Sequence, residues 1–130
     1  LIADEIAKGI VEQDKEVTVK VYNIAKTDKN DVITEIFRSK MVVVGSPTVG
    51  NDMLSSIAGF LHFLKELKMK KKKAATFGCY GWTGEAADKI SQYLEKAGYS
   101  IVAPSLKNKW NPDKEGLKTA RDYGQKLASY

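Results

Sequence analysis

The chain has 130 residues, 43% of them hydrophobic, with 21 Lys and Arg against 16 Asp and Glu for a net charge of +5. That length supports one domain, residues 1–130, around a single core, and it is too short for two ordinary domains. Cys79 is the only cysteine, so no intrachain disulfide can form. That fits a reducing, cytoplasmic setting, and no apolar run approaches the ~20 residues of a membrane span.

Along the chain, Ile2, Ile6, Ile10 and Val11 recur at helical spacing over residues 1–11, and Gln13-Asp14 closes the pattern. From Glu16 to Ala25, Val17, Val19, Val21 and Ile24 sit among Thr18, Lys20 and Tyr22, a β-branched alternation that predicts a strand. Asp28 or Asn30 can cap a helix running to Arg38, with Val32, Ile33, Ile36 and Phe37 as its buried stripe. Met41 to Val44 is a short continuous apolar run, which reads as a central strand buried on both faces. Leu54, Ile57, Leu61, Leu64 and Leu67 mark the clearest helix, over Met53 to Leu67.

The lysines at 68 and 70–73 then read as a solvated connection. No aromatic residues interleave them, so a nucleic-acid surface is not indicated. Ala74 to Cys79 is a second short buried strand, followed by a helix that uses Ala86, Ile90, Tyr93 and Leu94 and stops at Gly98. Tyr99 to Leu106 reads as a last strand. Pro112 to Leu127 reads as a last helix, with Asp113 placed to favour its positive end.

Helices and strands taking turns with short connections predict an α/β fold, a parallel sheet with helices on both faces. In such sheets ligands bind beyond the carboxyl ends of the strands, so the segments directly after each strand are the informative ones. Gly45-Ser46-Pro47-Thr48-Val49-Gly50-Asn51-Asp52 follows the first apolar strand. It offers hydroxyls, a rigid Pro and an amide able to face a polar planar ring, or it is simply a capped strand-to-helix turn. Cys79-Tyr80-Gly81-Trp82-Thr83-Gly84-Glu85 follows the second. Aromatics among glycines there make a stacking platform, unless Trp82 folds back over the sheet. His62 has no second His or Cys at ligand spacing and Cys79 has no base in sight, so neither reads as a metal or catalytic residue.

Gly45-Ser46-Pro47-Thr48 with Asn51, Ser56 to Gly59, Phe77 to Ala86, and Lys109-Trp110 with Pro112-Asp113 together closely resemble the flavodoxin-like domain of flavodiiron proteins. The match runs from about Lys40 onward, and Tyr-Gly-Trp-Thr-Gly-Glu is its most specific piece. The resemblance implies a doubly wound, three-layer flavodoxin-like fold with strand order 2-1-3-4-5 and FMN at the switch point. Carried over by position, it places Ser46, Pro47, Thr48, Val49, Gly50 and Asn51 on one side of the flavin. Cys79, Tyr80, Gly81, Trp82, Thr83 and Gly84 fall on the other, with Trp82 covering the ring.

Relatives commonly have two Asn and then Gly where this chain has Gly50-Asn51-Asp52. An inward Asp52 would disfavour a negatively charged reduced flavin and lower its potential. The family's first strand and its phosphate-holding loop have no counterpart in this sequence, so it reads as a portion of a longer chain. The resemblance further implies electron relay to a diiron domain that reduces dioxygen or nitric oxide, with head-to-tail homo-oligomers. A donor such as rubredoxin or ferredoxin is implied, and gas reduction by this portion alone is not. A flavin-free interaction module and a stand-alone flavodoxin or flavin reductase are the competing readings. The absence of carboxylates directly after Gly45 and Gly78 speaks against a receiver-type module.

Overall fold

A computed structural model describes residues 2–24, 26–46, 55–66, 72–80, 85–109 and 113–130. Among them the chain forms α1 (Ile2–Gln13), α2 (Lys29–Arg38), β1 (Met41–Gly45), α3 (Ser55–Glu66) and β2 (Lys73–Tyr80). It continues through α4 (Glu85–Lys96), β3 (Ser100–Ile101), β4 (Leu106–Lys109) and α5 (Lys114–Leu127). All strand pairs are parallel: β1 lies against one edge of β2, and β3 and β4 both pair with β2. Parallel strands need crossovers, and helices supply them between β1, β2 and β3.

Because successive strand residues point to opposite faces, the sheet has two cores. Ala74 and Val44 face a cluster built by Val32, Ile33 and Ile36 of α2, Ile57, Phe60, Leu61 and Leu64 of α3, and Ile90 and Leu94 of α4. Ala75 faces Ile2 and Ile6 of α1 with Ala120 and Leu127 of α5, and Met41, Val43 and Phe77 pack around them. Leu61, Leu64, Ile90 and Leu94 are fully buried, each contributing ~1.5–3 kcal/mol over an exposed position. That makes α3 and α4 the firmest cover of the sheet.

The helix ends follow local chemistry. Asp28 caps α2 by accepting from the Asn30 N–H (2.8 Å), and Asp113 caps α5 by accepting from the Gly116 N–H (2.8 Å). After α4, Gly98 takes φ 100°, a left-handed conformation that stops the helix as its glycine implies. Helices α1 and α5 cross in backbone contact: a Cβ at Gly9 would stand 2.0 Å from Arg121 O, and one at Gly124 would stand 2.1 Å from Ile6 O. Arg121 Nε also donates to Glu5 Oε2 (3.1 Å) across this crossing.

Several expectations are corrected. Residues 17–23 form no strand: Val17, Val21 and Tyr22 are exposed, and no strand lies beside them among the described residues. Alternation supplies a face, but a strand also needs a ladder partner. β1, expected to be central and buried on both faces, is half-buried over most of its length and pairs with β2 alone among the described residues, where β2 holds the middle. The expected strand from Tyr99 to Leu106 is two short strands with a break at residues 102–105. Phe37 is 59% exposed, at the edge of the α2 stripe rather than in it. Lys72 is no solvated lysine: its Nζ donates to Ile36 O (2.5 Å) and Ser39 O (2.6 Å) at the end of α2. The expected helix residues Met53, Leu54, Leu67 and Pro112 lie outside the described residues. No helix among the described residues is long and apolar enough to cross a membrane.

Candidate functional site at the carboxyl end of the sheet

Parallel pairing brings the strand ends that precede the two candidate segments to one rim. The register Gly45↔Phe77 ends β1 beside the middle of β2, and the Ser46 N–H donates to Phe77 O (3.3 Å) to continue the ladder one residue further. Ser46 is buried there, only 4% exposed. The chain then leaves toward residues 47–54, while β2 runs on to Tyr80 and leaves toward residues 81–84. Tyr80 pairs with Lys109, so β4 ends level with β2, and residues 110–112 connect that same rim to the N-cap of α5.

Gly78 sets how tightly the rim is closed. A Cβ at that position would meet Ser46 O at 2.8 Å and the Ala87 methyl at 3.3 Å, so any side chain would wedge β2 away from both Ser46 and α4. Behind it, Lys107 of β4 forms an ion pair with Asp88 of α4 at the surface.

A second group of polar residues lies deeper, on the α4 face of β2. Thr76 Oγ1 lies 2.6 Å from Ser91 Oγ and 2.7 Å from Ser105 Oγ, and the two serine oxygens are 3.0 Å apart. From the opposite face Tyr123 of α5 donates to Pro104 O (2.7 Å), with Thr76 O at 3.3 Å. Burial pushes the Tyr123 hydroxyl up to about 12. These groups straddle the break in the edge strand. Ala74 pairs with Ile101 but Phe77 with Leu106, so the offset grows from 27 to 29 residues and two extra residues are accommodated.

Of the expected site residues, Ser46 is described in full, and Cys79 and Tyr80 as strand backbone ending at the rim. Pro47, Thr48, Val49, Gly50, Asn51, Gly81, Trp82, Thr83 and Gly84 lie outside the described residues, as does Asp52. The structure therefore brings the two flanking strand ends together. The hydroxyl group of Thr76, Ser91 and Ser105, the Tyr123 contact and Gly78 as a spacer were missed by the sequence reading. A threonine inside an alanine-rich strand is their only trace in the sequence. His62 is exposed, with Tyr93 OH 3.4 Å from Nδ1 and Glu66 Oε1 3.8 Å from Nε2. Among the described residues no group of three His, Cys, Asp or Glu could hold a metal ion. A shallow apolar groove lined by Ala7, Val11 and Val19, rimmed by Lys8, Glu12 and Arg121, contains no residue of either candidate segment.

Comparison with known proteins agrees with this geometry. The profile of the flavodoxin family matches residues 1–124. The anaerobic nitric oxide reductase flavorubredoxins of Escherichia coli (strain K12) and Aeromonas salmonicida (strain A449) are 44% and 48% identical over 128 residues, 98% of this chain. The chain spans only 26% and 24% of their lengths. Among solved structures, a flavodoxin from the domain Archaea superposes with a TM-score of 0.87 at 27% identity, covering 98% of this chain and 86% of that one. Rubredoxin oxygen:oxidoreductase from Desulfovibrio gigas gives 0.89 at 28% identity, covering 98% and 31%. The flavodiiron protein of Giardia intestinalis gives 0.90 at 25% identity, covering 98% and 32%. The chain belongs to the flavodoxin family, as a flavodoxin-like domain of the kind that flavodiiron proteins carry.

Proposed function

We propose that this domain holds FMN at the carboxyl rim of its sheet and serves as the electron-relay domain of a flavodiiron-type oxidoreductase. Flavodoxin domains and their flavorubredoxin homologues bind FMN. The observation that carries the reading for this chain is the side-by-side exit of the segments after β1 and β2, closed by the Gly78–Ser46 approach. A side chain at position 78 would push β2 away from Ser46 and α4, and glycine lets the two strand ends stand close together, as two loops that flank one flat ligand require.

Ser46, Pro47, Thr48, Val49, Gly50 and Asn51 would hold one side of the flavin. Cys79, Tyr80, Gly81, Trp82, Thr83 and Gly84 would hold the other. When bound, FMN supplies one- and two-electron chemistry, and the chain's own part is to orient it, exclude water from it and set the charge around it. Ser46 begins one wall as a buried anchor, and Trp82 lends an aromatic face to the other. Asp52 is the one carboxylate directly after the first wall and so the natural tuner of potential.

The reading extends to the longer protein. A strand outside this sequence would pair with β1 on the side away from β2, and a phosphate loop after it would anchor the FMN phosphate. A diiron domain of the same or a neighbouring subunit would accept the electrons, in a homo-oligomer placed in the cytoplasm. With a net charge of +5, an acidic donor such as a rubredoxin or ferredoxin suits the domain by opposite-charge steering.

An FMN titration followed by flavin fluorescence tests the cofactor. The intact protein should quench the flavin at stoichiometric concentration, and Trp82→Ala should weaken binding by about 5–150-fold, the ~1–3 kcal/mol typical of an aromatic stacking on a base. Absence of quenching by the intact protein would contradict the reading and leave a flavin-free interaction module in front.

A further inference from the structure

We propose that Thr76, Ser91 and Ser105 are positioning residues for the flavin site, a hydroxyl triangle that fixes how the segments after β2 and β4 are presented. The inference rests on the FMN reading above and assigns residues that do not line the site.

The triangle is closed. Three hydroxyls meet at 2.6, 2.7 and 3.0 Å, and Ser105 Oγ also reaches the Ala87 carbonyl of α4 at 3.5 Å, so the network ties β2, α4 and the residue before β4 together. Thr76 is fully buried. An apolar side chain could fill the Thr76 position, and its buried hydroxyl instead imposes a geometry, because it is costly to leave unpaired while the half-buried Ser91 and Ser105 supply its partners.

What it connects gives the network its purpose. Thr76 belongs to β2 and Ser91 to α4, the strand before and the helix after residues 81–84. The triangle therefore fixes both anchors of that segment relative to each other. Ser105 directly precedes β4, which leads to residues 110–112. The two tryptophans of the chain, Trp82 and Trp110, fall in these two segments. The two-residue insertion between β3 and β4 is held from both sides of the sheet, by Ser105 on the α4 face and by Tyr123 OH on the α5 face. Removing one hydroxyl loosens the insertion and the strand and helix ends from which both segments start.

The test compares Thr76→Val, nearly isosteric but without the O–H, with Thr76→Ser, which keeps it. Ile36→Val, a core change on the same face of the sheet, is the control for stability alone. In the intact protein, Thr76→Val should raise the FMN Kd about tenfold, shift the visible flavin band, and shift tryptophan emission in the FMN-free form. Thr76→Ser should keep all three near wild type, and Ile36→Val should lower only the Tm. If Thr76→Val does not fold, Ser105→Ala carries the same expectation. Wild-type protein that binds FMN while the hydroxyl variants bind it equally well, with unshifted emission, overturns this inference alone. Wild-type protein that binds no FMN overturns the FMN reading and this inference with it.

Discussion

Tyr123 and Lys72 show how much a single side chain's role depends on what faces it. Lys72 sits in a run of lysines, and nothing in the run marks it out. In the fold its ammonium closes the carbonyls of Ile36 and Ser39 at the negative end of α2, and burial lowers its pKa. Tyr123 lies on α5 at a spacing that suits an ordinary half-buried aromatic, yet its hydroxyl holds the edge-strand insertion. Burial raises that hydroxyl from 10.0 to about 12, so the folded state keeps the proton longer than the unfolded one. A group with a raised folded pKa contributes fully below its unfolded value and loses its contribution as pH climbs past it. Stability should therefore fall between pH 10.0 and about 12. Tyr123→Phe should make that fall shallower in urea-unfolding midpoints, while costing ~1 kcal/mol near neutrality for the lost hydrogen bond. An unchanged alkaline slope in Tyr123→Phe would remove Tyr123 as its source.

At the scale of elements, the helices were legible and the strands only partly so. A helix completes its own backbone hydrogen bonds, so the stripes of α1, α3 and α4 and the Asp28 cap could be read from spacing and cap chemistry, whereas Asp113, expected inside the first turn of α5, is its N-cap. A strand takes half its definition from a neighbour that the local sequence does not contain. That is why residues 17–23 alternate without pairing, and why β1 reads as central although it has one partner among the described residues. The break between β3 and β4 was invisible for the same reason: a two-residue change in register is a property of the pair. The α1–α5 crossing has a sharper signature, a glycine on each helix. Alanine at an interior helix position gains ~1 kcal/mol of propensity over glycine, whereas a Cβ 2.1 Å from the Ile6 carbonyl must push the two backbones apart. Overpacking of that kind costs about 1–3 kcal/mol or more, so crowding wins. Gly124→Ala should lower the Tm, and a raised Tm would show that the helices are not in backbone contact.

For the whole molecule, the fold class could be read early because it follows from chain order, and the place of the candidate segments follows from the same order. Alternating helices and strands dictate a parallel sheet, and a parallel sheet sends the segments after its strands to one rim. The two candidate segments accordingly start from adjacent strand ends, at Ser46 and after Tyr80. The supports behind the rim, Gly78 and the triangle of Thr76, Ser91 and Ser105, were not legible. They join residues 9 to 32 positions apart through tertiary contact alone. The most direct test of the site is the structure of the intact protein bound to FMN. The flavin ring should lie between residues 46–51 and residues 79–84, with Trp82 against one face. A ring seated elsewhere, for instance in the groove of Ala7, Val11 and Val19, would contradict the assignment of the carboxyl rim.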